Sequence, residues 1–180
     1  MDFDGTSVKV QRLETVAGVE IDLDAFVFAH YDRLIRLAAL VSGDAADAED
    51  AVQAGLERAW RGRDSLRQAE SLSSWVDRIV VREAIRTAAR RRRWWSRRRE
   101  LSDAADATAP TIDLPDHFVA LRLAYQALPP DQRAAVALHL YAGHSVPETA
   151  SLLGAPLETV RSRLRLARRR LRSDLKEDRP

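Results

Sequence analysis

Residues 145–171 read SVPETASLLGAPLETVRSRLRLARRRL, the pattern of two short helices separated at Gly154. Pro147 suits the first turn of a helix, where its missing N–H is no loss. Ala150 and Leu153 give this first helix an inward face, and Gly154 can adopt the left-handed conformation that ends it. In the second helix apolar residues recur at offsets of three and four, which places them on one face: Leu157, Val160, Leu164, Ala167 and Leu171. The stretch therefore predicts a helix-turn-helix.

The other faces of the second helix carry arginines and small hydroxyl side chains: Thr159, Arg161, Ser162, Arg163, Arg165 and Arg168. An apolar stripe backed by such residues suits a helix that rests on a core and enters a DNA groove. We predict these six residues to contact DNA. The alternative is an ordinary helical hairpin with a solvated basic face.

Composition limits the other classes of function. The chain has 180 residues, 46% of them apolar, which suffices for one domain or two small ones. Cysteine is absent, so no disulfide framework and no cysteine-based metal site is expected. The four histidines lack metal-ligand spacing, and we find neither a glycine-rich phosphate loop nor a nucleophile elbow. We therefore expect no active site, no cofactor and no metal.

The N-terminus lacks the basic leader and apolar stretch of a signal peptide. No apolar run approaches the ~20 residues that a membrane-spanning helix needs. These observations predict a cytoplasmic location without membrane insertion.

Charge is distributed unevenly, although the net value is only +2. Residues 61–100 carry a balance of +8 and residues 158–180 carry +5, whereas residues 1–60 carry −7 and residues 101–157 carry −4. Two basic segments separated by acidic ones indicate two contacts with a polyanion.

Helical periodicity extends over most of the remaining chain. Residues 1–23 lack it and are predicted to form an extension. Residues 24–95 read as three helices, the first with Asp24 as its N-cap and the third starting near Ser73 or Ser74. Residues 96–115 are small, acidic and proline-bearing, which predicts a linker.

Residues 116–175 read as a second helical domain that ends in the helix-turn-helix, with Asp131 as the N-cap after Pro129-Pro130. The predicted fold is therefore all-α, with two small helical domains joined by a flexible linker.

Two helices of the first domain carry charge that packing does not explain. In the second, Asp47, Glu49, Asp50 and Gln53 lie away from the apolar stripe. Helix capping accounts for Asp47 but less well for Glu49 and Asp50, which sit about two turns in.

In the third helix Arg82, Arg86 and Arg90 form one stripe, followed by Arg91. Trp94 and Trp95 interrupt the arginines that continue from there, a mixture that suits single-stranded nucleic acid. The alternative is a solvated helix end with a tryptophan folded back on the core.

In this order the segments resemble a bacterial RNA polymerase sigma factor of the extracytoplasmic-function group. The resemblance covers residues 24–172 and rests on DAEDAVQAGLERAW from Asp47, WVDRIVVREAIRTAARRRR from Trp75, and LPPDQR with TVRSRL in the second domain. It implies that the chain joins core RNA polymerase and directs initiation at promoter DNA, without bond chemistry of its own.

The resemblance also implies a role for each segment. Asp47, Glu49, Asp50 and Gln53 would bind polymerase, and the helix-turn-helix would read the −35 element. The −10 element would be opened and read by Arg82, Arg86, Arg90 and Arg91, although family members often have asparagine where this chain has Arg82. Many also have a basic residue where Leu166 stands, and Arg165 beside it would compensate. An anti-sigma factor is a further partner that the resemblance suggests.

Two other classes of protein stay open at this point. A helix-turn-helix regulator with an N-terminal sensor or partner domain would explain the DNA-binding half but not the acidic and basic helices. An arginine-rich RNA-binding or assembly protein would explain the basic stretches but not the helix-turn-helix.

Overall fold

A computed structural model describes residues 22–63, 71–99 and 119–177, which form seven α-helices and one π-helical turn. The elements are α1 (Leu23–Ser42), α2 (Ala45–Gly62), α3 (Leu72–Arg99), α4 (Val119–Gln126), α5 (Pro130–Val136), the π-helical turn Ala137–Tyr141, α6 (Val146–Leu153) and α7 (Leu157–Glu177). The all-α prediction is confirmed, since these described ranges contain no strand. None of these helices combines the length and apolarity needed to cross a membrane.

The first helix begins earlier than predicted. Asp22 is its N-cap, because the Asp22 side chain accepts a hydrogen bond of 2.9 Å from the backbone N–H of Ala25. The prediction of Asp24 as the cap is wrong: Leu23 is buried in the core, which draws it into the helix and leaves Asp24 in the first turn. Gly43 ends α1 in the left-handed conformation, with φ of 79°.

Helices α1, α2 and α3 pack as a three-helix bundle around a core of branched aliphatic side chains: Leu34, Leu37, Val41, Val52, Val76, Val80 and Val81. Helix α2 approaches α3 closely at Gly55. A Cβ added there would lie 3.0 Å from Val80 Cγ2 and 3.2 Å from Val80 Cα. A Cβ at this position would therefore require Val80 to move by a few tenths of an ångström.

Helix α3 is longer than predicted. It continues to Arg99, so residues 96–99, which were assigned to the linker 96–115, are helical. Arginine is a good helix former and no glycine or proline interrupts this stretch, which explains the continuation. The rest of the predicted linker and the N-terminal extension fall, apart from residues 22 and 23, outside the described residues.

The C-terminal half comprises α4 to α7, and one predicted cap within it is wrong. Pro129 occupies the N-cap of α5, because the fixed φ of Pro130 suits the first helical position. Asp131 therefore lies in the first turn and accepts a hydrogen bond from Arg163 of α7 at 3.0 Å.

The helix-turn-helix formed by α6 and α7 is confirmed. Ser145 caps α6 in a capping box with Glu148, and Pro147 lies in the first turn. Gly154 ends the helix with φ of 63°, as its position predicted. Val160 and Ala167 are fully buried on the inner face of α7.

The two halves pack directly on one another. Four apolar residues of the C-terminal half belong to the same buried cluster as the core of the three-helix bundle: Ala134, Ala137, Leu138 and Leu152. The two regions that the sequence predicted as separate domains thus share part of one core.

Candidate nucleic-acid interface

The six residues predicted to contact DNA lie on α7, on both sides of its buried face of Val160 and Ala167. Arg161, Arg165 and Arg168 are exposed, whereas Thr159 and Ser162 are half-buried beside them. Because the inner face of α7 is held by its buried residues, these side chains project from a fixed helix. The structure therefore brings the predicted set together on one element.

Two of these arginines have partners within the chain. Arg161 bonds to Glu158 one turn earlier on α7. Arg163, whose side chain is 25% exposed, bonds to Asp131, which is 53% exposed. Asp131 competes with another anion for Arg163 Nη2, and a solvent-exposed pair of this kind is worth only about 0.2–1 kcal/mol.

The arginine stripe of α3 also lies at the surface. Arg82, Arg86 and Arg90 are exposed. Arg86 donates to the buried carboxylate of Glu83, which also accepts from Arg58 at 3.0 Å. Two exposed arginine faces, on α3 and α7, are thus available to a polyanion.

Arg91 differs from the rest of this stripe because it is half-buried between two carboxylates of α2. It bonds to Asp44, and its Nη1 lies 3.2 Å from Asp47 Oδ2. Burial raises the pKa of Asp44, but hydrogen bonds from the backbone N–H of Asp47 and from Arg91 outweigh burial, and the pKa lies below its usual value. Asp47 and Arg91, which the sequence assigned to different surfaces, are therefore joined.

The remaining acidic face of α2 is open to solvent. Glu49, Asp50 and Gln53 are exposed on it, whereas the side chain of Asp47 is only 18% exposed. The structure groups the first three and places Asp47 against α3.

The arginine stripe of α3 meets the helix-turn-helix at Gly154. A Cβ added to Gly154 would lie 3.2 Å from Arg82 Nη2. One residue predicted to contact the −10 element therefore rests on the turn of the motif predicted to read the −35 element.

Sequence reasoning did not single out three polar side chains that join the halves, nor the arginine that pairs with one of them: Arg133, Asp77 and His144 make the contacts between the halves, and Arg33 bonds to Asp77 within the N-terminal half. Asp77 offered a signal, because it directly follows Trp75 and Val76 on the apolar side of α3. Within the described ranges, no three histidine, cysteine or carboxylate side chains converge as a metal site would require.

Each half of the chain matches a known family model. Residues 26–96 match the family model of sigma-70 region 2, and residues 118–171 match that of sigma-70 region 4. Fold and order of regions thus define a promoter-recognition factor of the sigma-70 class.

Proteins of similar sequence identify the group within the sigma-70 class. The chain is 36% identical over 157 residues to the ECF RNA polymerase sigma factor SigM of Mycobacterium tuberculosis, covering 87% of this chain and 78% of SigM. It is 32% identical to the ECF sigma factor EcfG of Rhodopseudomonas palustris, covering 81% of this chain and 80% of EcfG. The chain belongs to the extracytoplasmic-function sigma factors.

Solved structures agree with this assignment. The sigma factor RpoE of Bartonella quintana, solved with the anti-sigma factor NepR, matches with a TM-score of 0.69 and 28% identity, over 88% of this chain and 99% of RpoE. CnrH, solved with the cytosolic domain of CnrY, matches with a TM-score of 0.60 over 87% of this chain and 88% of CnrH. At 22% identity the second match supports the fold alone.

Proposed function

We propose that this chain joins core RNA polymerase and directs it to promoters that have a −35 and a −10 element. The observation that carries the proposal is the order of sigma-70 regions 2 and 4 in one chain, each with an exposed arginine face. Such an order serves two-point recognition of one promoter.

For the −35 element we propose that α7 enters the major groove. Arg161, Arg165 and Arg168 are exposed and have the planar fork that binds guanine edges or phosphates. Thr159 and Ser162 are shorter and would contact bases or phosphates only where the helix lies close. Arg163 joins them by exchanging Asp131 for a phosphate.

For the −10 element we propose that the stripe of Arg82, Arg86 and Arg90 binds the separated strand. Arginine charge offsets part of the repulsion that the unpaired backbone brings to the protein surface. Arg91 is already neutralised by Asp44 and Asp47, so we expect its contribution to DNA binding to be the smallest of the four.

For polymerase binding we propose the exposed face of Glu49, Asp50 and Gln53. Acidic side chains in the second turn of a helix, such as Glu49 and Asp50 in α2, gain little from its dipole, which acts within the first turn. A basic partner surface accounts for them better. Asp47, which the sequence also predicted to bind polymerase, lies at the edge of this face, where it forms an ion pair with Arg91.

We further propose an anti-sigma factor as a regulatory partner. The RpoE structure that resembles this chain was solved with the anti-sigma factor NepR. Co-purification of the chain with a protein that suppresses its activity would test this partner.

The proposed function is tested by adding the chain to core polymerase, mapping the transcripts from a genomic library, and probing the −10 thymines with permanganate. The variant Arg82→Ala/Arg86→Ala/Arg90→Ala should still bind core polymerase but form few open complexes. A template with a pre-melted −10 bubble should restore part of the yield, because strand separation then costs nothing. If this variant forms open complexes as well as the wild type does, the arginines of α3 do not bind the −10 strand.

A second arm tests polymerase binding. Glu49→Lys/Asp50→Lys should weaken binding to core polymerase, whereas Asp24→Lys/Asp32→Lys on α1 reverses the same number of exposed charges and should not. If the chain binds promoter DNA but never yields transcripts with core polymerase, it is the helix-turn-helix regulator of the alternative.

A further inference from the structure

Trp94 continues the arginine stripe of α3. It follows Arg90 by four residues, which is also the spacing between the arginines of the stripe. Residues four apart are neighbours on the surface of a helix. Arg93 directly precedes Trp94 and Arg97 follows it by three residues, and both arginines are exposed. The Trp94 side chain, itself 50% exposed, therefore lies within a group of arginines.

The core of the three-helix bundle does not explain an aromatic residue at this position. Among the described residues of α3 that belong to the core or pack against it, the last is Ile85. Trp94 comes nine residues later, which is about 14 Å further along the helix axis. The selection of tryptophan here therefore has another reason than packing in the bundle.

The charge around Trp94 favours a polyanionic partner. Residues 84–99 contain eight arginines and no acidic residue. Arg91 is paired with Asp44 and Asp47, and this pairing also fixes the arm of α3 that carries Trp94 to α2. The exposed arginines repel a basic partner and attract phosphates. An aromatic ring among them suits a ligand that has both phosphates and aromatic groups, which is a nucleic acid.

The aromatic ring distinguishes a single strand from a duplex. In a duplex both faces of a base are covered by its neighbours, so an indole reaches a base face only by unstacking a base step. In a separated strand the base faces are accessible, and stacking on an aromatic side chain replaces the stacking that strand separation removed. Trp94 is therefore suited to DNA that is already open.

The helix rise agrees with such a contact. Four residues of α3, from Arg90 to Trp94, rise about 6 Å. Stacked bases of one strand lie about 3.4 Å apart, and a ring inserted between two bases brings their spacing to about 6.8 Å. One turn of the helix thus corresponds to one nucleotide step, so Arg90 can bind a phosphate while Trp94 contacts the neighbouring base.

We propose that Trp94 stacks on an unpaired base of the −10 strand, next to the phosphates that Arg82, Arg86 and Arg90 bind. The inference rests on the proposed function and adds a base contact to it. Because every base has an aromatic face, this contact stabilises the separated strand without selecting its sequence.

The test is a titration of the chain, bound to core polymerase, with a fluorescent single strand that carries the −10 sequence found by transcript mapping. Trp94→Ala should weaken binding by about 5- to 150-fold, the range for one base stacked on an aromatic ring. Trp94→Phe should keep most of the affinity, whereas Trp94→Leu should lose it, because leucine adds apolar area without an aromatic face. Equal affinities of these two variants would overturn the inference.

Two controls accompany the titration. Phe28→Ala removes an aromatic ring that is 92% exposed on α1, away from the arginine stripe, and it should leave strand affinity unchanged. Binding of each variant to core polymerase is measured first and demonstrates that the variant is folded.

Salt dependence separates stacking from charge. Trp94→Ala removes no charge, so the slope of log affinity against log salt should stay as in the wild type. Arg90→Ala removes one phosphate contact and should flatten this slope by about 0.7. A flattened slope in Trp94→Ala would mean that the arginines had moved, and it would overturn the inference.

A series of strands with one abasic position each identifies the base. At one position, loss of the base should weaken binding by the wild type as much as Trp94→Ala does, and should not weaken binding by Trp94→Ala further. If the two proteins show the same abasic penalty at every position, Trp94 contacts no base; the inference is then refuted and the proposed function stands. If the wild type yields no transcripts with core polymerase, the proposed function fails and this inference fails with it.

Discussion

Release of Arg163 from Asp131 should strengthen binding to the −35 element. In the free chain Arg163 Nη2 lies 3.0 Å from Asp131 Oδ2, with the side chains 25% and 53% exposed. Solvent screens a pair this exposed, so its free energy is about 0.2–1 kcal/mol. Asp131→Asn removes that competition, and the affinity should rise by about 1.4- to 5-fold.

The assay is a titration of the polymerase-bound chain against a fluorescent −35 duplex between 50 and 200 mM salt. Arg163→Ala should flatten the dependence of log affinity on log salt by about 0.9, which is a ~3.5-fold smaller loss over this fourfold range. Asp131→Asn acts through Arg163, so its gain should disappear in the Arg163→Ala background.

Two results would refute this reasoning. A gain that persists without Arg163 would come from the lost negative charge and not from the pair, and no gain at all would mean that Arg163 does not reach DNA. Glu158→Gln is the matched comparison, because it frees Arg161 from a more exposed partner and should give the smaller increase. Thermal unfolding of each variant controls for the loss of an acidic residue from the first turn of α5.

Two predictions concern stability. Gly55→Ala should lower the free energy of unfolding in urea by about 1 kcal/mol, because overpacking against the Val80 backbone outweighs the gain in helix propensity; a stabilised variant would contradict the close approach of α2 and α3. The pKa of Asp44 is lowered in the folded chain, so its stabilising contribution is complete above the usual value of 3.8 and is lost as the pH falls below it. Asp44→Asn should therefore be less stable than the wild type at neutral pH and lose less stability on acidification, whereas parallel stability curves would contradict the pairing with Arg91.

Periodicity predicted the helices because it reports which face of each segment is buried. Caps were harder: at α1 and α5 several candidate residues lie within two positions, and the choice depends on burial of Leu23 and on the backbone of Pro130. The end of α6 at Gly154 was predictable, because few residues other than glycine readily adopt the left-handed conformation that ends a helix.

Contacts between the halves were not predictable from local pattern. Arg133 and Val41 are 92 positions apart, and neither helical spacing nor composition relates them. The pairing of Asp47 with Arg91 was missed for the same reason: each residue looks like part of an exposed charged face until α2 and α3 are packed together. An acid within an apolar stripe, such as Asp77 after Trp75 and Val76, is a signal of a buried polar contact that this sequence does carry.

The π-helical turn has a consequence for how this interface can vary between related proteins. In an α-helix three steps of 100° bring two side chains back to within about 60° of each other, but the wider π turn, closed by Ala142 N–H on Ala137 O, separates them further. Leu138 can thus point into the core while Tyr141, three residues later, bonds to Arg36. Inserting or deleting one residue in this turn would turn Tyr141 away from Arg36 and leave Leu138 in the core. Relatives that differ by one residue here should therefore differ in the hydrogen bond between these two positions.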